Sequence, residues 1–183
     1  MIKNLSRYFL SSLSFFFFNN TEKYSRISNF AKKEIKAYLF KKKRIKNVTK
    51  THAIFNDKIF NLLDHPQLIS FLRFPFVQQM FFVHNRFFIY KELKELQKSR
   101  SYWPLYKKLL IEDDAGDPVR YFLYPQSSGN RINHVYHLSI LQNFLKKDLL
   151  KIREVFEFGG GYGCMARIFF NINKRVNYKI FDT

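Results

Sequence analysis

Apolar positions recur at helical spacing through most of the chain and give way to strand-like runs near its end. Residues 22–47 read as a basic helix, with Ile27, Phe30, Ile35, Tyr38 and Leu39 as its apolar positions. Residues 57–63 form a further short helical piece. Asp64, His65 and Pro66 look like a helix start, because aspartate accepts from free backbone N–H groups and proline suits a first turn. The apolar run 68–72 follows, and Pro75 interrupts it. Over 86–98, apolar residues interleave with Lys91, Glu92, Lys94 and Glu95, as a helix with one wet face requires. Ser101 is placed to cap one more helix through Leu110.

The pattern changes at the acidic, turn-forming cluster 112–118, which is the best boundary in the chain. Beyond it, 119–124 reads as extended, 125–130 as a loop and 131–147 as a helix. The last stretch reads as a strand over 154–158, a glycine turn, a helix over 162–171 and a second strand over 177–181. The expected organisation is α/β: an α-rich, basic region over 1–111, then a segment over 112–183. Within that segment a Rossmann-like β-α-β unit begins at about residue 153.

A chain of 183 residues accommodates one domain or a little more, and its apolar content supports a packed core. The single cysteine, Cys164, excludes a disulfide framework and a cysteine-based zinc site, and a reduced, cytoplasmic setting is the default. The run from Tyr8 to Phe18 is too short for the about 20 residues a bilayer span needs, and no cleavage site follows it. No transmembrane segment is therefore expected. The net charge of +18 is uneven: residues 1–110 hold 22 Lys and Arg against 6 Asp and Glu. Compositional drift toward Lys, Asn, Ile and Phe is one explanation, and a surface for nucleic acid or anionic lipid along 23–50 is the other. Lysine dominates where phosphate readers favour the planar fork of arginine, so a nucleic-acid partner is not expected.

Two glycine spacings are present in the last segment. Glu157, Gly159, Gly161 and Gly163 fit the acidic-x-G-x-G-x-G turn of class I methyltransferases that use S-adenosylmethionine. Gly161, Gly163 and Ala166 fit the dinucleotide G-x-G-x-x-A spacing. Electrostatics separates the two ligands. A pyrophosphate over the turn is repelled by a neighbouring carboxylate, whereas the ammonium and sulfonium of S-adenosylmethionine are attracted. Glu157 thus favours the methyl donor over NAD. Asp182, at the end of the second strand, suits the ribose of either.

The segment Glu157 to Arg167, with Tyr178 to Asp182, resembles the family of sugar O-methyltransferases. So do the upstream blocks Tyr124 to Asn130 and Ile132 to Leu138. The resemblance covers roughly 112–183. It implies transfer of a methyl group from S-adenosylmethionine to a sugar hydroxyl on a small-molecule or glycan acceptor. Glu157, Gly159, Gly160, Gly161, Tyr162, Gly163 and Asp182 would bind the donor. His137 and His134, three residues apart on one helix, are the candidates for a general base, with structural and metal roles as the alternatives. Asn130 and Tyr136 are candidate acceptor contacts, and no metal site is expected. Cys164 sits where a helix start can acidify a thiol, or it is a small packing residue. The family pattern continues past Asp182 through further strands that this sequence lacks. The chain is therefore expected to bind donor weakly and to turn over nothing by itself.

Overall fold

The computed structural model describes residues 33, 36–37, 54, 57–58, 60–65, 68–81 and 87–181. These fall into two compact units, one drawn from 81–112 and 119–181, the other from residues before 81 together with 113–118. Within the basic run 22–47 only Lys33, Lys36 and Ala37 are described, and they are helical; the rest of that expected helix lies outside the described residues.

The smaller unit holds a 3₁₀ stretch, Leu68–Arg73, and helix α1, Pro75–Phe81. Pro75 opens this helix rather than ending the one before it, because the missing N–H falls in a first turn where it has no intrahelical acceptor. Leu62, Leu63, Leu68, Leu72 and Val77 are buried. Gly116 adopts φ +81°, and its carbonyl accepts from the Leu72 N–H at 2.9 Å. A side chain there would collide with Phe71, so the turn requires glycine. Asp117 and Arg73 close it with an ion pair at 3.1 Å.

The larger unit is mixed α/β. Helix α2, Phe87–Lys98, buries Ile89, Leu93 and Leu96, the stripe its periodicity prescribes. Helix α3, Trp103–Leu109, starts later than Ser101 would place it, with Pro104 in its first turn and no side-chain cap at Tyr102. The expected extended run 119–124 is shorter: β1, Arg120–Tyr121, turns at Phe122 and Leu123 and pairs antiparallel with β2, Tyr124–Ser128. Residues 125–128 of β2 were expected as a loop; the hairpin tolerates Pro125, which lies at an exposed position. Helix α4, Gly129–Leu145, begins two residues before the expected Arg131 because Ser128 caps it, accepting from Arg131 N at 3.1 Å.

The end of the chain follows its pattern closely. Strand β3, Glu154–Phe158, pairs parallel and in register with β4, Asn177–Phe181. Helix α5, Cys164–Ile172, connects them. It starts after the glycine turn rather than within it. Cys164, Ala166, Ile168 and Phe169 of α5 are buried, and Cys164, Ile168 and Phe169 share one core with Ile132, Val135 and Leu138 of α4 and with residues of α2 and α3. The helices before the acidic cluster thus pack with the segment after it. Truncating Ile168, which is fully buried, to alanine costs about 2–5 kcal/mol by cavity formation.

Candidate functional site

The turn between β3 and α5 is built on glycine geometry. Gly159, Gly161 and Gly163 have φ of +72°, +54° and +79°, a region that penalises any side chain. Gly160 is constrained differently: a Cβ on it would press on Ile180 and come within 3.2 Å of Glu157 Oε2. Around Gly159 and Gly163 there is open space, so their backbone is approachable. The Gly159 N–H donates to the Phe181 carbonyl at 2.9 Å, which extends the sheet to the first residue of the turn.

Glu157 therefore stands directly beside this turn, as its spacing requires. Its Oε2 accepts from the Tyr178 hydroxyl at 2.8 Å, and no cation pairs with it among the described residues. Burial raises the Tyr178 hydroxyl, and the hydrogen bond to Glu157 raises it further. Among the described residues the carboxylate is thus oriented by a neutral donor and by no cation. Asp182 lies outside the described residues.

Asn130 and Tyr162 come together. The Asn130 Nδ2 donates to the Tyr162 hydroxyl at 2.8 Å, tying the start of α4 to the glycine turn across 32 residues of sequence. Burial pushes the Tyr162 hydroxyl well above its ordinary range, with Cys164 and Glu112 adding to the shift. Cys164 is buried, and burial first, then Glu112, pushes its thiol up to about 12. Desolvation outweighs the helix start, so the thiol stays protonated and acts as packing.

Beneath this lies a buried ion pair that sequence spacing gave no means of finding. Arg131 Nη1 and Glu112 Oε1 are 3.1 Å apart, with both side chains almost completely enclosed. Glu112 Oε2 accepts from Ser128 Oγ at 2.6 Å, and Arg131 Nε donates to the Leu109 carbonyl at 2.6 Å. The pair fixes the end of α3 to the start of α4. Glu112 was grouped with the acidic, turn-forming boundary 112–118; its burial is accommodated by its arginine partner.

His134 is largely buried and His137 is exposed on the same helix. Burial holds the His134 imidazole below its ordinary value, opposed in part by a hydrogen bond to the Asn130 backbone, and its Nδ1 has no partner among the described residues. Glu92 on α2 is the carboxylate near His137. Burial raises it, while the hydrogen bond from Asn133 Nδ2 at 2.9 Å and the charge of His137 lower it. Helix α2 supplies this neighbour from 41 residues upstream of Asn133, and no local motif announces it. Tyr136 is partly buried against the core, with its ring 6.3 Å from that of His137. No hydrogen bond joins either histidine to the glycine turn among the described residues. No group of three or more potential metal ligands occurs among them either.

A groove of about 1460 Å³ runs along β3 and the C-terminal half of α4. It reaches Glu157 but none of the turn glycines. No helix among the described residues is long and apolar enough to cross a membrane. Comparison with protein-family models, curated proteins and solved structures gave no match.

Proposed function

We propose that the glycine turn between β3 and α5 is the donor site of an S-adenosylmethionine-dependent O-methyltransferase. The observation that carries this reading is the Glu157 carboxylate, with no cation paired to it among the described residues, beside Gly160 in a parallel strand–turn–helix–strand unit. An anionic group next to exposed turn backbone attracts the ammonium and sulfonium of the methyl donor and repels a pyrophosphate. The residues present fit the donor: open space at Gly159 and Gly163 admits close approach, and Glu157 supplies the charge. Asp182 would meet the ribose.

The donor, when bound, supplies an electrophilic methyl group. The protein's own contribution is to hold and orient the two reactants. Tyr162, anchored by Asn130, ties the turn to the start of α4. Asn130 and Tyr136 remain the candidate acceptor contacts, with the Asn130 Nδ2 engaged by Tyr162. His134, kept neutral by burial, and the exposed His137 are the groups able to take a proton from an acceptor hydroxyl. A sugar acceptor rests on the family resemblance.

Only two parallel strands support the turn among the described residues, so affinity for the donor is expected to be low. Titration with S-adenosylmethionine and with NAD, for the native chain and for Glu157→Gln, tests the reading. The substitution weakens binding of the methyl donor and favours NAD. The opposite order removes the proposal. A basic nucleic-acid or lipid surface along 23–50 falls almost wholly outside the described residues, and no observation favours it.

A further inference from the structure

A carboxylate between α2 and α4 is only half satisfied. Asn133 Nδ2 donates to Glu92 Oε1 at 2.9 Å, whereas Glu92 Oε2 is enclosed and has no hydrogen-bond partner among the described residues. An enclosed carboxylate oxygen without a donor is costly. The atom is already shut off from solvent, so an open edge of the fold does not account for its isolation. Its donor has to come from the side chains around it.

The lysines next to Glu92 in sequence point elsewhere. Lys91 Nζ lies over the Phe87 ring at 5.6 Å, and Lys94 Nζ over the Tyr90 ring at 5.3 Å, both on the exposed face of α2. His137 is placed differently. It follows Asn133 by one turn of α4, and side chains four apart on a helix stand roughly 5–6 Å from one another on one face. The two groups also sense each other. Burial raises the Glu92 carboxyl, and the Asn133 hydrogen bond and then the charge of His137 lower it.

The two histidines differ in their carboxylates. His134 is largely buried, and the carboxylate acting on it is Glu112, already held by Arg131. His137 is exposed, with its ring 6.3 Å from that of Tyr136, a candidate acceptor contact.

We propose that Glu92 is a positioning residue for His137: its carboxylate, held by Asn133, accepts one imidazole N–H and turns the other ring nitrogen outward as a proton acceptor. The pairing stands without the donor reading, and its use in catalysis rests on that reading. His137 then takes the proton of an acceptor hydroxyl as the hydroxyl oxygen bonds to the donor's methyl carbon, and the sulfonium sulfur keeps the electron pair of the broken bond. His134 is left with a structural part.

Long-range ¹H–¹⁵N spectra of the histidine rings test the pairing at about pH 8.5, above the ordinary histidine range. In the native full-length chain His137 should occupy a single tautomer. In Glu92→Gln, which keeps an oxygen for Asn133 and loses the charge, both tautomers should appear. Diethyl pyrocarbonate gives a second readout: modification of His137, followed by mass spectrometry, should slow several-fold in Glu92→Gln while that of His134 is unchanged. A mixture of tautomers at His137 in the native chain overturns the proposal even if the variant fails to fold. So do a tautomer and a modification rate that are the same in both proteins. Titration with S-adenosylmethionine is read separately. Donor binding without a single His137 tautomer removes the role of Glu92 alone, and a single tautomer without donor binding removes the methyl-transfer step and leaves the pairing.

Discussion

The Tyr178 hydroxyl donates to Glu157 Oε2 at 2.8 Å, so that neighbouring parallel strands hold one carboxylate against the glycine turn. The donor is neutral, and burial raises its pKa, so it directs the carboxylate without cancelling its charge. Replacing Tyr178 by phenylalanine should cost about 1 kcal/mol of stability and leave Glu157 less ordered. Urea denaturation of Tyr178→Phe and of the double variant with Glu157→Gln measures the coupling. Strict additivity would show that the two groups do not interact.

The turn glycines should fail for different reasons. At Gly163 an added Cβ meets open space, so Gly163→Ala pays only for φ +79°, about 1–2 kcal/mol. Gly160 has no positive φ, but its Cβ would press on Ile180 and Glu157. Gly160→Ala should therefore shift the strand-end amides, whereas Gly163→Ala lowers stability with β3–β4 shifts unchanged. NMR spectra of both variants check this; identical perturbations would contradict it.

Breaking the enclosed pair of Glu112 and Arg131 should be severe. Glu112→Ala leaves a buried guanidinium without its counter-charge and should cost about 3–5 kcal/mol. Replacing both residues by methionine should recover most of that loss, because the desolvation cost disappears with the charges. Denaturation midpoints of the single and double variants decide between a net stabilising pair and a pair that only its own burial makes necessary.

Acid should destabilise the larger unit through His134. Its folded pKa is lowered by burial, so the unfolded chain binds the proton first as pH falls below about 6.5. Stability is unaffected by this group above that value and declines below it, down through the folded pKa. Glu92 acts in the opposite sense: burial raises its folded pKa above 4.5, so stability rises as pH falls through that raised value. Stability curves of the native chain, His134→Gln and Glu92→Gln over about pH 7.5 to 4.5 separate the two. Loss of the decline below 6.5 in His134→Gln is expected, and a curve parallel to the native one would refute the assignment.

The terminal β-α-β unit was legible because its elements depend on local chemistry. Strands 154–158 and 177–181 fall where expected, and Glu157 meets the turn as its spacing from Gly159 requires. Strand β2 was not legible, since Pro125, Gln126 and two serines carry no strand signal and their conformation comes from pairing with β1. Periodicity gave α2 its buried face but not its partner, which is α4. Polar partners far apart in sequence, Glu112 with Arg131 and Asn130 with Tyr162, became visible only through the fold.

The most direct test titrates the ¹⁵N-labelled chain with S-adenosylmethionine and follows the amides of Gly159, Gly161 and Gly163. The account predicts saturable shifts in the millimolar range, about −4 kcal/mol, roughly tenfold weaker in Glu157→Gln and absent with NAD for the native chain. Unmoved glycine amides at saturating donor, or shifts indifferent to the Glu157 charge, would contradict it.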